Sequence, residues 1–300
     1  MPTERHLSNW KELEGNTLTV ALIDGDIIAY KAAFVSTDTF EDEEIYDPAA
    51  VKANVDLMVK EWSQLAKAGA NIVCLSDDSH RYFRHTIYPN YKGNRDEQKR
   101  PKALTCAYDW LKENFKTAQY EGLEADDVMG VLAGSTELSD PVMVSIDKDL
   151  LTVPGKLLNP NKMRRAMRIS KPAADRQMLL QALMGDRTDG YPGVDGIGPV
   201  KAEKILAAHP SLRAAWQAVV ETFDGDEETA LTMARLARIL RTDDYNHETG
   251  EIRLWHPSNK ELWVSGKAQT TEKKSSKKRK RASRKTGTKA MANRRRTMNA

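Results

Sequence analysis

Cysteine is almost missing from these 300 residues; Cys74 and Cys106 are the only two. Neither stands in a C-x-x-C pair, so a disulfide framework and a cysteine-built zinc site are not expected. Both read as reduced core thiols of a reducing compartment, the cytoplasm. The six histidines, at 6, 80, 85, 209, 247 and 256, show no zinc-type spacing and read as surface or capping residues. There is no Ser–His–Asp elbow, no G-x-x-x-x-G-K-[ST] loop, and no glycine fingerprint following a strand. No apolar run approaches the roughly 20 residues of a membrane helix. The opening MPTERHLSNWKELEG lacks the apolar stretch of a secretion signal. No internal repeat is seen.

Charge of one sign is scarce where the other is dense. From Lys267 to Ala300 there are 14 Lys or Arg and one acid, Glu272, a balance of +13. Against the overall +3, residues 1–266 therefore carry −10. The tail has too few apolar residues for a core and is expected to be disordered when free, touching phosphates non-specifically. An acidic body with a basic arm suits an acidic metal site working on a polyanion.

Carboxylates are abundant, and they are placed. TVALID ends at Asp24, NIVCLSD at Asp77 and VMVSID at Asp147. Each run is rich in Val, Ile and Leu and too short for a helix, so each reads as a buried parallel strand. In an open α/β sheet, ligands collect outside the carboxyl ends of the strands. Further acids follow such ends: Glu124, Asp126 and Asp127 in EGLEADD, Asp149 in IDKD, and Asp186 and Asp189 in MGDRTDG. So many carboxylates cannot share a crevice ionised without compensation. Hard divalent cations with oxygen ligands, magnesium first, would supply it. A single strand-end Asp is more often a helix N-cap, and EADD alone could be an acidic first turn; the ordered set favours the metal site.

Strands are expected at 18–23, 71–75, 117–120 and 142–146, with uncertain fragments near 156–169. Helices are expected at 27–35, 48–68 (ended by Gly69), 103–116 and 124–132. Alternation of the two implies a mostly parallel α/β sheet. From Pro172 the pattern is helical, at 172–184, 199–208, 211–222 and 227–241, with a strand or loop at 251–255. The domain division expected is 1–170 for the sheet, 171–257 for the helices and 258–300 for the basic tail.

Two further segments carry charge and turn chemistry. GVDGIGPVKAEKIL (193–206) offers Gly193, Gly196 and Gly198 for a tight turn with positive φ, and Pro199 for a first helical position. Such a hairpin presents backbone N–H groups to a phosphate, with Lys201 and Lys204 one turn apart on one face. An ordinary helix connection is the plain alternative. The polar loop 81–102 contains YPNYKGNR, in which Tyr91 could stack a base and Lys92 and Arg95 could meet a phosphate. A solvated basic loop is its plain alternative.

Together these motifs resemble the 5′ nuclease (flap endonuclease) family, closest to its bacteriophage branch of 5′→3′ exonucleases. The resemblance rests on Asp24-Gly25, Asp77, Pro89 to Arg95, E-x-D-D at 124–127, D-K-D at 147–149, and G-D-x-x-D-G leading into G-x-x-G-I-G. MARLARILRTDDYNHETGEIRLWHP fits as well, so the match runs over about residues 18 to 257. It implies an α/β, PIN-like nuclease domain with a helix–three-turn–helix module. It implies two divalent ions, Mg²⁺ with Mn²⁺ able to substitute. One ligand group would be Asp24, Asp77, Glu124, Asp126 and Asp127; the other Asp147, Asp149, Asp186 and Asp189. A potassium ion at the hairpin carbonyls is implied too. The span from Arg95 to Ala103 is shorter than in larger members, which argues against a full helical arch and favours exonuclease action near a 5′ end.

The function expected is therefore Mg²⁺-dependent 5′→3′ exonuclease action on duplex DNA in replication or recombination, with flap and RNA-primer removal. Duplexes with 5′ ends or flaps, and RNA–DNA hybrids, are the expected partners; a replication protein is a further one, and no membrane is involved. A PIN-type ribonuclease and a non-catalytic DNA-binding protein are the alternatives. The duplex-binding hairpin opposes the first, and the complete acid set opposes the second.

Overall fold

The computed structural model describes residues 18–40, 43–95 and 100–258, without the side chains of Thr39, Phe40 and Arg95. The tail from 259 lies outside these residues. In chain order the elements are β1 (Val20–Asp24), α1 (Gly25–Val35), β2 (Thr37–Phe40), β3 (Glu43–Tyr46), α2 (Pro48–Ala66) and β4 (Ala70–Leu75). Then come α3 (Arg84–Ile87), α4 (Leu104–Asn114), β5 (Thr117–Gln119), α5 (Ala125–Ala133), β6 (Pro141–Val144), β7 (Gly155–Leu158) and β8 (Met167–Ile169). The remainder is α6 (Lys171–Met184), β9 (Gly185–Asp186), β10 (Tyr191–Pro192), α7 (Pro199–Ala207), α8 (Leu212–Thr222) and α9 (Glu227–Ala237).

Every residue of β1 is buried. Its alternation divides the core: Val20 and Leu22 join the apolar cluster under α5, while Ala21 and Ile23 join the one under α1, α2 and α4. A strand covered on both faces is what an unbroken Val/Ile/Leu run specifies. The sheet order is β5-β4-β1-β6-β7-β8, parallel except for the β7–β8 edge. The chain builds outward from β1 through β4 and β5, then crosses to β6 on the other side. That reversal puts a switch point between β1 and β6, where neighbouring loops part and a crevice opens. The fold is α/β with a mostly parallel sheet, as expected from sequence. Helices α6 to α9 pack around a third cluster that includes Met178, Leu206 and Trp216.

Several boundaries differ for local reasons. Helix α2 ends at Lys67, which takes the left-handed conformation (φ 54°); Gly69 is not the cap. Gly69 instead admits Leu18, whose side chain would lie 2.6 Å from an added Cβ. Helix α9 stops at Ala237, four residues early, because the segment after it crosses α5. The Leu240 N–H donates to Asp127 Oδ1 at 3.0 Å. A Cβ on Gly130 would stand 2.2 Å from the Leu240 carbonyl, so that crossing demands glycine. The 251–255 strand reduces to one bridge, Tyr245 with Ile252. The β2–β3 hairpin was not legible beforehand. Among the described residues no helix is long and apolar enough to cross a membrane.

Candidate active site

The crevice at the switch point is lined by Asp24, Asp26, Glu124, Asp126, Asp147, Asp149, Asp186 and Asp189, with Lys92 and Lys148 at its sides. Its volume is about 260 Å³. Asp24 ends β1 and caps α1, accepting from the Ile27 N–H at 3.1 Å. Its other oxygen accepts from Ser145 Oγ at 2.6 Å, which ties β1 to the turn after β6. Burial, and then the neighbouring Asp26 charge, pushes the Asp24 carboxyl up to about 7. Asp147 Oδ1 accepts from the Asp149 N–H at 2.8 Å, so the two acids of IDKD stand on one tight turn. Burial and Asp147 push Asp149 up to about 7 as well.

Glu124, Asp126 and Asp127 begin α5 but do three different things. Glu124 receives the Lys92 ammonium, the Arg84 guanidinium (2.8 Å) and the Tyr91 hydroxyl (2.9 Å). Burial raises its pKa, but the two cations outweigh burial and bring it down to about 2. Asp126 is the reverse case: one buried carboxylate oxygen has no hydrogen-bond partner. Burial, Asp147 and Asp24 drive its pKa well above the usual range. Asp127 does not line the crevice. It is fully buried and bonded twice to Arg84, at 2.5 and 2.8 Å.

After α6, Asp186 accepts from the Thr188 N–H at 2.7 Å and lies 3.2 Å from Lys148 Nζ. Burial raises its pKa, but those donors outweigh it and hold the carboxyl below the ordinary value. Asp189 accepts from the Tyr91 hydroxyl at 3.0 Å and faces Lys92 Nζ at 3.7 Å. Lys92 itself is left-handed (φ 56°), a conformation costing about 1–2 kcal/mol, and its N–H donates to the Asp189 carbonyl at 2.8 Å. A strained residue pinned beside a cluster of charge is a functional signal.

The structure therefore brings together Asp24, Glu124, Asp126, Asp147, Asp149, Asp186, Asp189 and Lys92. It leaves out Asp77, whose carboxylate accepts from Ser79 Oγ at 2.7 Å and from the Gly122 N–H at 2.9 Å in the neighbouring loop. Tyr91 corrects the stacking expectation: it is 3% exposed and packed among the helical cluster, so its ring has no face to offer a base. The Arg95 side chain lies outside the described residues. Asp26 was missed, although a second acid two residues after the strand end was there to be read; it accepts from the Ser76 N–H at 3.2 Å and from Ser76 Oγ. Arg84 was missed because a buried arginine in a polar loop has no sequence signature.

The hairpin also differs in detail. Of its three glycines only Gly196 has a positive φ, 68°. Gly193 is required by packing, since a Cβ would lie 2.2 Å from the Met184 backbone. Gly198 has open space around it and precedes α7, with Lys201 and Lys204 exposed on that helix. Lys201 Nζ donates to the Gly196 carbonyl at 2.8 Å.

Among the described residues no three acids close into a ready-made chelate. The donor set nonetheless fits hard cations. A buried carboxylate oxygen lacks any partner, four of the acids lining the crevice carry raised pKa values, and all the donors are oxygens. Magnesium commonly keeps several waters and takes few carboxylates directly, so a spread set suits it.

A parallel α/β sheet with an acidic crevice at its switch point is the architecture of the PIN-like nucleases. The 5′-3′ exonuclease family, through its N-terminal resolvase-like domain, matches residues 19–175. The chain belongs to that family. It is 29% identical over 280 residues to the exonuclease of Escherichia phage T7, covering 79% of this chain and 93% of that one. It is 31% identical over 228 residues to a 5′-3′ exonuclease of Mycobacterium tuberculosis, covering 64% and 71%. The crystal structure of the T5 D15 protein co-crystallised with metal ions shares the fold, with a TM-score of 0.58 at 19% identity, covering 74% of this chain and 89% of that one.

Proposed function

We propose that this family member is a Mg²⁺-dependent 5′→3′ exonuclease of duplex DNA that also removes flaps and RNA primers. The observation that carries the metal dependence is the partnerless buried oxygen of Asp126, in a crevice where Asp24 and Asp149 are also pushed up to about 7. Two ions would be held by two groups of the carboxylates that line the crevice, Asp24, Glu124 and Asp126 in one and Asp147, Asp149, Asp186 and Asp189 in the other. Bound there, they would supply positive charge for the scissile phosphate and for the attacking and leaving oxygens. Lys92, shared between Glu124 and Asp189 at the crevice edge, is the side chain placed to turn toward a phosphate.

The α7 N-terminus, with Gly198, Lys201 and Lys204, would grip the duplex backbone without reading bases. A potassium ion at the hairpin carbonyls belongs to the same reading and would displace the Lys201 ammonium from the Gly196 carbonyl. The division into a sheet domain, a helical duplex-binding region and a basic tail remains part of the proposal. The test is digestion of end-labelled duplex, flap and RNA–DNA hybrid substrates with Mg²⁺ and with EDTA. Release from the 5′ end in Mg²⁺ alone is expected; EDTA-resistant cleavage would refute the metal assignment.

A further inference from the structure

A buried amide is expected to satisfy both of its ends, and Gln181 satisfies only one. It lies on α6 and is 3% exposed. Its Nε2 donates to Asp149 Oδ1 at 2.5 Å. Its Oε1 is buried and has no partner. The opposite orientation of the amide would set two acceptor oxygens against each other, so the donor belongs on the Asp149 side. An orphaned buried acceptor weakens the fold, and an apolar side chain of similar volume would avoid that cost. A glutamine here calls for another explanation.

Holding α6 in place is not that explanation, because other bonds already do so. Arg241 donates to Asp175 on α6 at 2.6 Å and to the Thr152 carbonyl at 2.8 Å. Thr152 ends the short helical turn that Asp149 begins. The Asp149 backbone is fixed on both sides as well. Its N–H donates to Asp147 Oδ1, and its carbonyl accepts from Thr152 Oγ1 at 2.8 Å. Those bonds leave the rotation of the Asp149 side chain open.

Two donors meet that side chain, both at Oδ1. Lys148 Nζ lies 3.8 Å away on a side chain 70% exposed, and it is shared with Asp186. An ion entering between the same carboxylates would compete with that ammonium. Gln181 is neutral and enclosed, and it does not line the crevice. Asp149 Oδ2 makes no hydrogen bond among the described residues, and the carboxylate is 21% exposed where it lines the crevice. One oxygen is thus held from outside the crevice while the other is left without a partner.

We propose that Gln181 is a positioning residue for Asp149, its amide N–H fixing which carboxylate oxygen is presented to a divalent cation. The assignment rests on the metal-dependent function proposed above and adds a residue that touches neither ion nor DNA. Hydrogen bonds from outside a ligand set orient its carboxylates, and losing one typically costs about 10–100-fold in metal affinity or activity.

The experiment uses the full chain without DNA. Mn²⁺ binding is followed by electron paramagnetic resonance, and melting is read in EDTA. Gln181→Leu and Gln181→Met remove the donor with different shapes, so an effect common to both belongs to the donor and not to a packing fault. In both, the Mn²⁺ dissociation constant should rise about 10–100-fold, while the EDTA melt stays within about 2 °C of wild type. Half-saturating Mg²⁺ for single-turnover duplex cleavage should rise by a similar factor, with the rate at saturating Mg²⁺ largely restored. Variants that bind Mn²⁺ as wild type does overturn this proposal alone. So does an EDTA melt that falls steeply in both, which would make Gln181 a strut. A wild type that binds no Mn²⁺ removes the metal site and this proposal with it.

Discussion

Replacing Arg84 with methionine should cripple the fold before it touches the chemistry. Arg84 has no exposed surface. Its guanidinium binds both Asp127 oxygens, one oxygen of Glu124, and the carbonyls of Leu236 (3.1 Å) and Arg238 (2.7 Å). It therefore fastens α3 to α5 and both to the end of α9. Arg84→Met leaves the Asp127 charge in a site with no exposed surface, and breaking one side of a buried pair costs about 3–5 kcal/mol. At roughly 2–4 °C per kcal/mol for a protein near this size, the melting temperature should fall by about 6–20 °C. Adding Asp127→Leu should recover most of that loss, because a pair replaced by apolar groups of similar volume is often neutral. The assay is far-UV circular dichroism melting, run in EDTA and again in Mg²⁺. Asp127→Ala is the decisive variant. A residue serving only as a metal ligand would leave the EDTA melt unchanged, whereas a buried structural partner would lower it steeply. An Asp127→Ala protein that melts within about 2 °C of wild type in EDTA would refute the structural assignment.

Asp126→Asn should do the opposite: raise the metal-free melting temperature at alkaline pH by removing a partnerless carboxyl whose ionisation burial and the neighbouring acids oppose, while abolishing Mg²⁺-dependent cleavage. A lower melt would contradict it. The pH dependence follows from signs. Asp24 and Asp149, raised from 3.8 to about 7, contribute stability that is fully present below about pH 4 and is lost as pH rises through 7. Glu124, lowered from 4.5 to about 2, contributes stability present above pH 4.5 and lost as pH falls through 2. Metal-free protein should thus melt highest near pH 4–5, and Mg²⁺ binding at pH 6.5 should release protons, measurable by calorimetry in buffers of different ionisation enthalpy; buffer-independent heats would disprove this. Gly196→Ala, at φ 68°, should cost about 1–2 kcal/mol of stability, whereas Gly198→Ala, with open space around it, should leave the melt unchanged and weaken duplex binding. Lys201→Ala with Lys204→Ala should shallow the slope of log affinity against log salt by about 0.9 per lost phosphate contact, in a titration of duplex binding; an unchanged slope would place the grip elsewhere.

The parallel sheet was legible because strand composition is a local property. Runs such as TVALID state burial on both faces and length at once, and both were realised in β1. The ordering of the acids after those strands was equally local, so most of the crevice could be named from the chain alone. Backbone geometry then sorted residues that sequence treats as equals. Glu124, Asp126 and Asp127 are neighbours in one helical turn, yet successive side chains on a helix point about 100° apart. One therefore meets two cations, one meets other carboxylates, and one turns inward to Arg84. The same sorting buried Tyr91 among the helices, because exposure is decided by which helices pack over a ring. The chain by itself determined which chemistry could be assembled: strands, acids, a glycine hairpin and a basic tail. Only the tertiary structure decided which acids face a shared space and which serve as struts, since burial and pairing depend on residues as far apart as Arg84 and Arg238.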